Sequence, residues 1–228
     1  MDNLASAYKS HGQWKEAEEL FAQVMQTRKR VLGVEHVDTL TSMDNLASTY
    51  KSHDQWKEAE ELFVQVMETR KRVLGVEHPD TLTSMADLAL TYWNQDHLKE
   101  VEELEVQVME IRKKVLGLEH PGTLIGMADL AATYQYQGWL KEAEELQIQV
   151  METSLRVLGA EHPSTLTSMA HLATTHLKQK QWKEAVGLLL QVIEKRSRVL
   201  GAEHPDTLTS MALLVSICQS MQSPPEEM

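Results

Sequence analysis

A chain of 228 residues with a formal net charge of −12 and one cysteine excludes several classes at once. The acidic balance argues against nucleic acid and anionic membranes, both of which attract basic surfaces. No apolar run approaches the roughly 20 residues of a membrane span, the N-terminus carries no secretory pattern, and Cys218 cannot close an internal disulfide, which points to a reducing, cytoplasmic compartment. Glycine and proline are scarce beside Ala, Leu, Glu, Lys, Met and Gln, so helix is expected throughout.

The chain repeats itself. Residues 1–35 match 43–77 at 31 of 35 positions, and 36–77 match 78–119 at 28 of 42. His36, His78, His120, His162 and His204 each lie 42 residues apart. A residue recurring at a fixed period belongs to the architecture before it belongs to a site. Met1 aligns with Met43, so the chain is expected to begin part-way through a unit. The predicted organisation is a partial unit 1–35, full units 36–77, 78–119, 120–161 and 162–203, a lone helix over 204–221 and a disordered tail over 222–228. That makes about eleven helices.

Within the unit 36–77, Leu40, Met43, Leu46, Ala47 and Tyr50 form one helical stripe, which predicts helix A. After "KSHDQ", the stripe Trp56, Ala59, Leu62, Phe63, Val66, Met67, Val73 and Leu74 predicts helix B. Glu58, Glu60 and Glu61 open helix B and Arg70, Lys71 and Arg72 close it; that order complements the helix dipole and is expected on a solvated face. Gly75 stands where a left-handed residue ends the helix, Pro79 prevents its resumption, and Asp80 or Thr81 is expected to cap the next helix A. His78 then sits at a corner, within reach of backbone groups. Equivalent histidines on stacked units point in parallel, roughly 8–10 Å or more apart. They cannot converge as a metal or catalytic site requires. With no HExxH spacing and no nucleophile–base pair, neither enzyme, metal nor cofactor is expected.

The other recurrent features read as structure. The methionine columns at Met43 and Met67 and the tryptophans Trp14, Trp56 and Trp182 are expected in the core, and Trp139 in the A–B turn. His97, His171 and His176 are expected to be solvated, and Cys218, in the tyrosine column of helix A, to be a buried thiol.

Leu88, Ala89 and Tyr92 with Ala59 or Ala143 at the helix crossing resemble the tetratricopeptide repeat, whose standard unit is about 34 residues. The additional length here falls in "RKRVLGVEH". The forms "LGxEHPDTL" and "MDNLASTY" resemble the repeats of kinesin light chain. The run "LASTY…QWKEAEELFVQVMETRKRVLGVEHPDTLTSM" resembles still more closely the 42-residue repeats of fungal NLR-like proteins, which follow an NB-ARC module in STAND-type signalling ATPases. No G-x-x-x-x-G-K-[ST] loop occurs in this chain. The resemblance implies an all-α right-handed superhelix, an α-solenoid of antiparallel helix pairs, that binds a protein or peptide on a groove lined by the A helices. It places Asp44 and Asn45 in that groove.

Columns that change along the chain extend the candidate site. Where the first units carry Ser48, Lys51 and Ser52, later ones carry Leu90, Trp93, Asn94, Gln135, Tyr136, Leu177 and Lys178. The Asn45 column continues as Asp87, Asp129 and His171. Trp93 and Tyr136 either fill gaps between neighbouring A helices or offer an apolar ligand anchor in a polar groove, and Asp87 and Asp129 suit basic flanks around such an anchor. The rival expectation is end-to-end self-association with an empty groove, through Leu213, Leu214, Val215 and Ile217 of the last helix.

Overall fold

The computed structural model describes residues 2–222, with side chains for 3–219. Eleven helices run through the described residues: α1 (Asp2–Ser10), α2 (Trp14–Leu32), α3 (Val37–Ser52), α4 (Trp56–Val73), α5 (Pro79–Asn94), α6 (Leu98–Leu116), α7 (Pro121–Gln137), α8 (Leu140–Leu158), α9 (Pro163–Lys178), α10 (Trp182–Val199) and α11 (Pro205–Gln222). The odd-numbered helices are the predicted A helices and the even-numbered ones the B helices. Gln222, expected in the tail, ends α11; residues 223–228 lie outside the described region. The chain divides into two compact units, 1–111 and 112–228, with the boundary inside α6.

In the first unit each helix packs on its chain neighbours from α1 to α5. A large B-helix side chain meets the small alanines at each crossing. Phe21 is buried with Ala5, Ala17 and Leu46, and Phe63 with Ala47, Ala59, Met85 and Leu88. In the second unit Leu189 takes the phenylalanine place, buried with Ala173, Ala185 and Ile217. Gln147 takes it in α8 and stays buried because Thr175 Oγ1 donates to its Oε1 at 2.6 Å. A buried amide with that bond avoids the desolvation penalty of an unmet polar group.

The recurring corner has a specific local cause. His36, His78, His120 and His162 are helix N-caps: each Nδ1 accepts the backbone N–H two residues on, at 3.0 to 3.2 Å, and His204 does the same for Asp206. The expectation that Asp80 or Thr81 caps α5 is therefore corrected. Thr81 instead donates its hydroxyl to Gly75 C=O at 2.8 Å, tying the corner across its bend. Pro79 occupies the first helical position, where its missing N–H costs nothing. Gly33 and Gly159 end their helices at φ 93 and 92 with ψ 165 and 166. That is a region of positive φ open essentially to glycine alone, and Gly75, just past the end of α4, has the positive φ expected of it, 93. His78→Ala should cost about 1 kcal/mol of unfolding free energy, and His78→Asn should recover most of it, because asparagine caps equally well. Equal losses in urea titrations of the two variants would refute the capping role.

Two side chains of the tyrosine column lie elsewhere than expected. His176 is buried, not solvated; it fills the tyrosine column and pairs with Gln181 Oε1. Cys218 is exposed, not buried, because no helix among the described residues follows α11 to cover that column.

Candidate functional site

In the first unit the outward stripe of the A helices carries Asn45, Ser48 and Ser52 on α3 and Asp87, Leu90 and Asn94 on α5. These spacings put each set on one helix face. Polar rungs join neighbouring A helices. Lys9 Nζ donates to Ser48 Oγ at 2.6 Å, and Lys51 Nζ lies 3.7 Å from Asp87 Oδ1. Asn94 Nδ2 donates to Leu90 C=O at 2.7 Å, along its own helix. Leu90 is 48% exposed, and Trp93 is half-buried beside it.

Asp44 is anchored behind this stripe. Its Oδ2 receives Arg70 Nη2 at 2.5 Å, while its buried Oδ1 has no hydrogen-bond partner. Burial raises the carboxyl to about 6, outweighing the opposing pull of Arg70; Asp87 and Asp80 push the same way as burial. Arg70 is itself buried and donates Nη1 to Ser84 Oγ at 2.5 Å. The expectation of a solvated basic run is thus corrected at Arg70. Arg72 is exposed and pairs with Glu35 at 2.7 Å, as that expectation would have it.

The folded state holds the Asp44 proton more tightly than the unfolded chain, where the value is 3.8. This group therefore favours folding below about pH 4, and its contribution fades as the pH rises to about 6. The stability difference between wild type and Asp44→Asn should shift by about 1–2 kcal/mol across that window. A difference that is flat between pH 4 and 7 would contradict it.

In the second unit the stripe reads Ile125, Asp129, Ala132 and Tyr136 on α7 and Thr167, His171, Thr174 and Lys178 on α9. Ile125 and Tyr136 are 58% and 60% exposed. Gln135 Nε2 donates to Thr175 Oγ1 at 2.9 Å, and Lys178 Nζ to Gln135 C=O at 3.5 Å. Partial burial raises the Asp129 carboxyl, with Arg112 opposing. Burial, then Arg196, lowers His171, which keeps its ring neutral near pH 7. Leu177 does not point outward; it packs against the cluster around Leu189.

Beside Ile125 and His171 of this stripe, α7, α8 and α9 line an open-sided cavity of about 350 Å³. Its walls include Leu124, Ile125, Val150 and Val157, with Ser154, Ser168 and His171 as polar points. That volume is at the small end of ligand pockets. Among the described residues no group of three or more His, Cys, Asp or Glu side chains is placed to hold a metal ion, and no helix is long and apolar enough to cross a membrane.

Of the last-helix residues, Ile217 is fully buried within its own chain and is not available to a second copy. Leu213 and Leu214 pack against the same cluster, and Val215 is 55% exposed.

The family model of the tetratricopeptide repeat matches residues 1–72, 52–114 and 123–198. The chain belongs to the tetratricopeptide repeat family. Its helix pairs are those of tetratricopeptide solenoids, a family of non-enzymatic scaffolds. It is 38% identical to the nearly identical TPR-like repeats assigned to a kinesin light chain of Podosopora anserina, with a TM-score of 0.79 over 86% of this chain and 93% of that one. BtubC from P. vanneervenii shares the fold at 13% identity and TM-score 0.75, over 91% of this chain and 84% of that one. YrrB, a TPR protein with an unusual peptide-binding site, shares it at 13% identity and TM-score 0.58, over 93% and 89%. No curated protein matches the chain.

Sequence reasoning missed the arginine column. Arg28, Arg70, Arg112, Ser154 and Arg196 stand at one position of the 42-residue period, and only Ser154 differs. That one departure was the available signal for the cavity.

Proposed function

We propose that this repeat array is a protein- and peptide-binding scaffold whose ligands lie on the outward A-helix stripe of each unit. The observation that carries this reading is the exposure of Leu90, Ile125 and Tyr136 within stripes that are otherwise polar or small. Exposed apolar surface of that kind is enriched where partners dock. Asp87 and Asp129 beside those residues suit a ligand with Lys or Arg flanking an apolar anchor. YrrB, with the same fold, is described by its peptide-binding site. The likeness of the "QWKEAEELFVQVMETRKRVLGVEH" run to fungal NLR-like repeats supports a place as the sensor or interaction arm of a cytoplasmic STAND-type signalling protein.

The test is selection from a random peptide display library on the full chain, followed by amide hydrogen exchange with a selected peptide bound. Protection of backbone amides is expected in the A helices of a unit, α3 and α5 of the first or α7 and α9 of the second. Protection confined to the even-numbered helices, or no selectable peptide, would overturn the proposal.

One observation favours self-association as a second reading. Leu208 and Val215 leave 50% and 55% of their surface exposed on α11. Sedimentation equilibrium would then show mass rising with concentration, and Val215→Lys would suppress it. A strict monomer to high micromolar concentration would remove this reading.

A further inference from the structure

The arginine column is broken once, and the cavity opens at the break. Arg28, Arg70 and Arg196 donate to Ser42, Ser84 and Ser210 at 2.5, 2.5 and 2.7 Å. They also donate to the backbone carbonyls of Asp38, Asp80 and Asp206 at 3.3, 3.5 and 2.9 Å. Arg70 additionally meets Asp44, and Arg196 meets Thr167 Oγ1. Ser154 holds the same place in α8. The 42-residue counterparts of those contacts are Ser164, Ser168, Ala128 and Ile125, and all four line the cavity. The space is therefore the one that an arginine side chain fills elsewhere in this molecule.

Two polar groups differ at this joint. Ser84 and Ser210 donate to the carbonyls of Asp80 and Asp206, four residues back, whereas Ser168 turns to Thr165 C=O, three back, at 2.8 Å. Thr39, Thr81, Thr123 and Thr207 each donate to a glycine carbonyl at 2.8 to 2.9 Å. Thr165, fully buried, leaves its Oγ1 without a partner. This corner is the one whose polar groups are not closed on themselves.

We propose that the cavity receives an arginine side chain from the partner polypeptide, its guanidinium donating to Ser164 C=O and Ser168 Oγ. The stem then lies on Leu124, Val150 and Ile125, as amphipathic cationic side chains commonly bury their methylenes. This rests on the peptide-binding reading above and assigns one of the ligand's basic flanks a seat. Arg196 shows that this chemistry is sustainable here, since it lies buried on a carbonyl and two hydroxyls, Ser210 and Thr167. Glu119 at the cavity edge is already paired with Arg156; the net charge of −12 favours a cation. His171, kept neutral, does not oppose one.

The test uses the full chain and a blocked Leu-Arg-Leu peptide, with citrulline or norleucine in place of arginine as controls. The arginine peptide should bind saturably, and citrulline should bind at least about tenfold more weakly, since hydrogen bonds to a charged donor are the stronger ones. Ser154→Arg should fill the cavity and weaken binding at least tenfold while melting no lower than wild type. Ala128→Asp, which restores the counterpart of Asp44, should tighten binding about tenfold and covers the case in which Ser154→Arg fails to fold. Equal binding by norleucine, undiminished binding by folded Ser154→Arg, or free arginine binding as tightly as the peptide would overturn the inference. If the arginine peptide fails while library-selected peptides still protect the A helices of either unit, the inference falls and the scaffold reading stands.

Discussion

Arg70→Ala lowers the free energy of unfolding by about 3 kcal/mol, because it strands a carboxyl group that the fold has already taken out of water. Arg70 is 7% exposed, and its guanidinium holds Asp44 on α3 and Ser84 on α5 at 2.5 Å each. One side chain thus fastens a B helix to the A helices on both sides of it. Removing one partner of a buried pair costs about 3–5 kcal/mol; the partial exposure of Asp44 puts this case at the lower end. Deleting Asp44 as well should return part of the loss, because no unpaired carboxyl then remains. In a repeat array each unit contacts only its neighbours, so the damage should be local. Amide exchange should quicken in α3, α4 and α5, with α9 and α10 little changed. A urea midpoint within experimental error of wild type would show that the arginine column is ornamental to stability.

Trp93→Ala weakens a selected peptide ligand by about 2 kcal/mol or more, roughly thirtyfold, with helical content unchanged. Trp93 is half-buried on α5, next to the exposed Leu90 and in a column that carries Lys9 and Lys51 in earlier repeats. A half-buried tryptophan, with only two side-chain torsions, loses little conformational entropy when it is covered, which is why such residues dominate binding energies. Asp87→Asn should behave differently. Its charge faces solvent beside Lys51, so screening limits its part in final affinity. It should instead slow association and flatten the dependence on salt. Loss of binding in Trp93→Ala accompanied by loss of helix would assign Trp93 to packing, and unchanged binding would remove it from the site.

The repeat period, the helix pairs and most of the core were legible in the sequence because they rest on local rules. Apolar spacing at 3.6 residues, Pro79 at a helix start and alanines facing large side chains act within one unit, and five repetitions of the same pattern removed ambiguity. The columns left open whether Tyr136 fills a gap between A helices or faces outward; it is exposed, as is Leu90.

What the sequence left open depended on partners far along the chain. Spacing alone puts Arg70 in the apolar stripe, four residues after Val66 and three before Val73, and Arg72 off it. What spacing does not supply is the partners that let a charge stay there: Asp44, 26 residues before Arg70, and Ser84, 14 residues after it. His78 became a cap in place of Asp80 because the bend fixed by Gly75 brings its ring to the first open N–H of α5. His176 and Cys218 exchanged their expected places because burial follows the helix that covers a position, not the hydropathy of its residue. The cavity at Ser154 is the clearest case: one short side chain in a column of arginines empties a space only because neighbouring helices, rigidly packed, do not close over it.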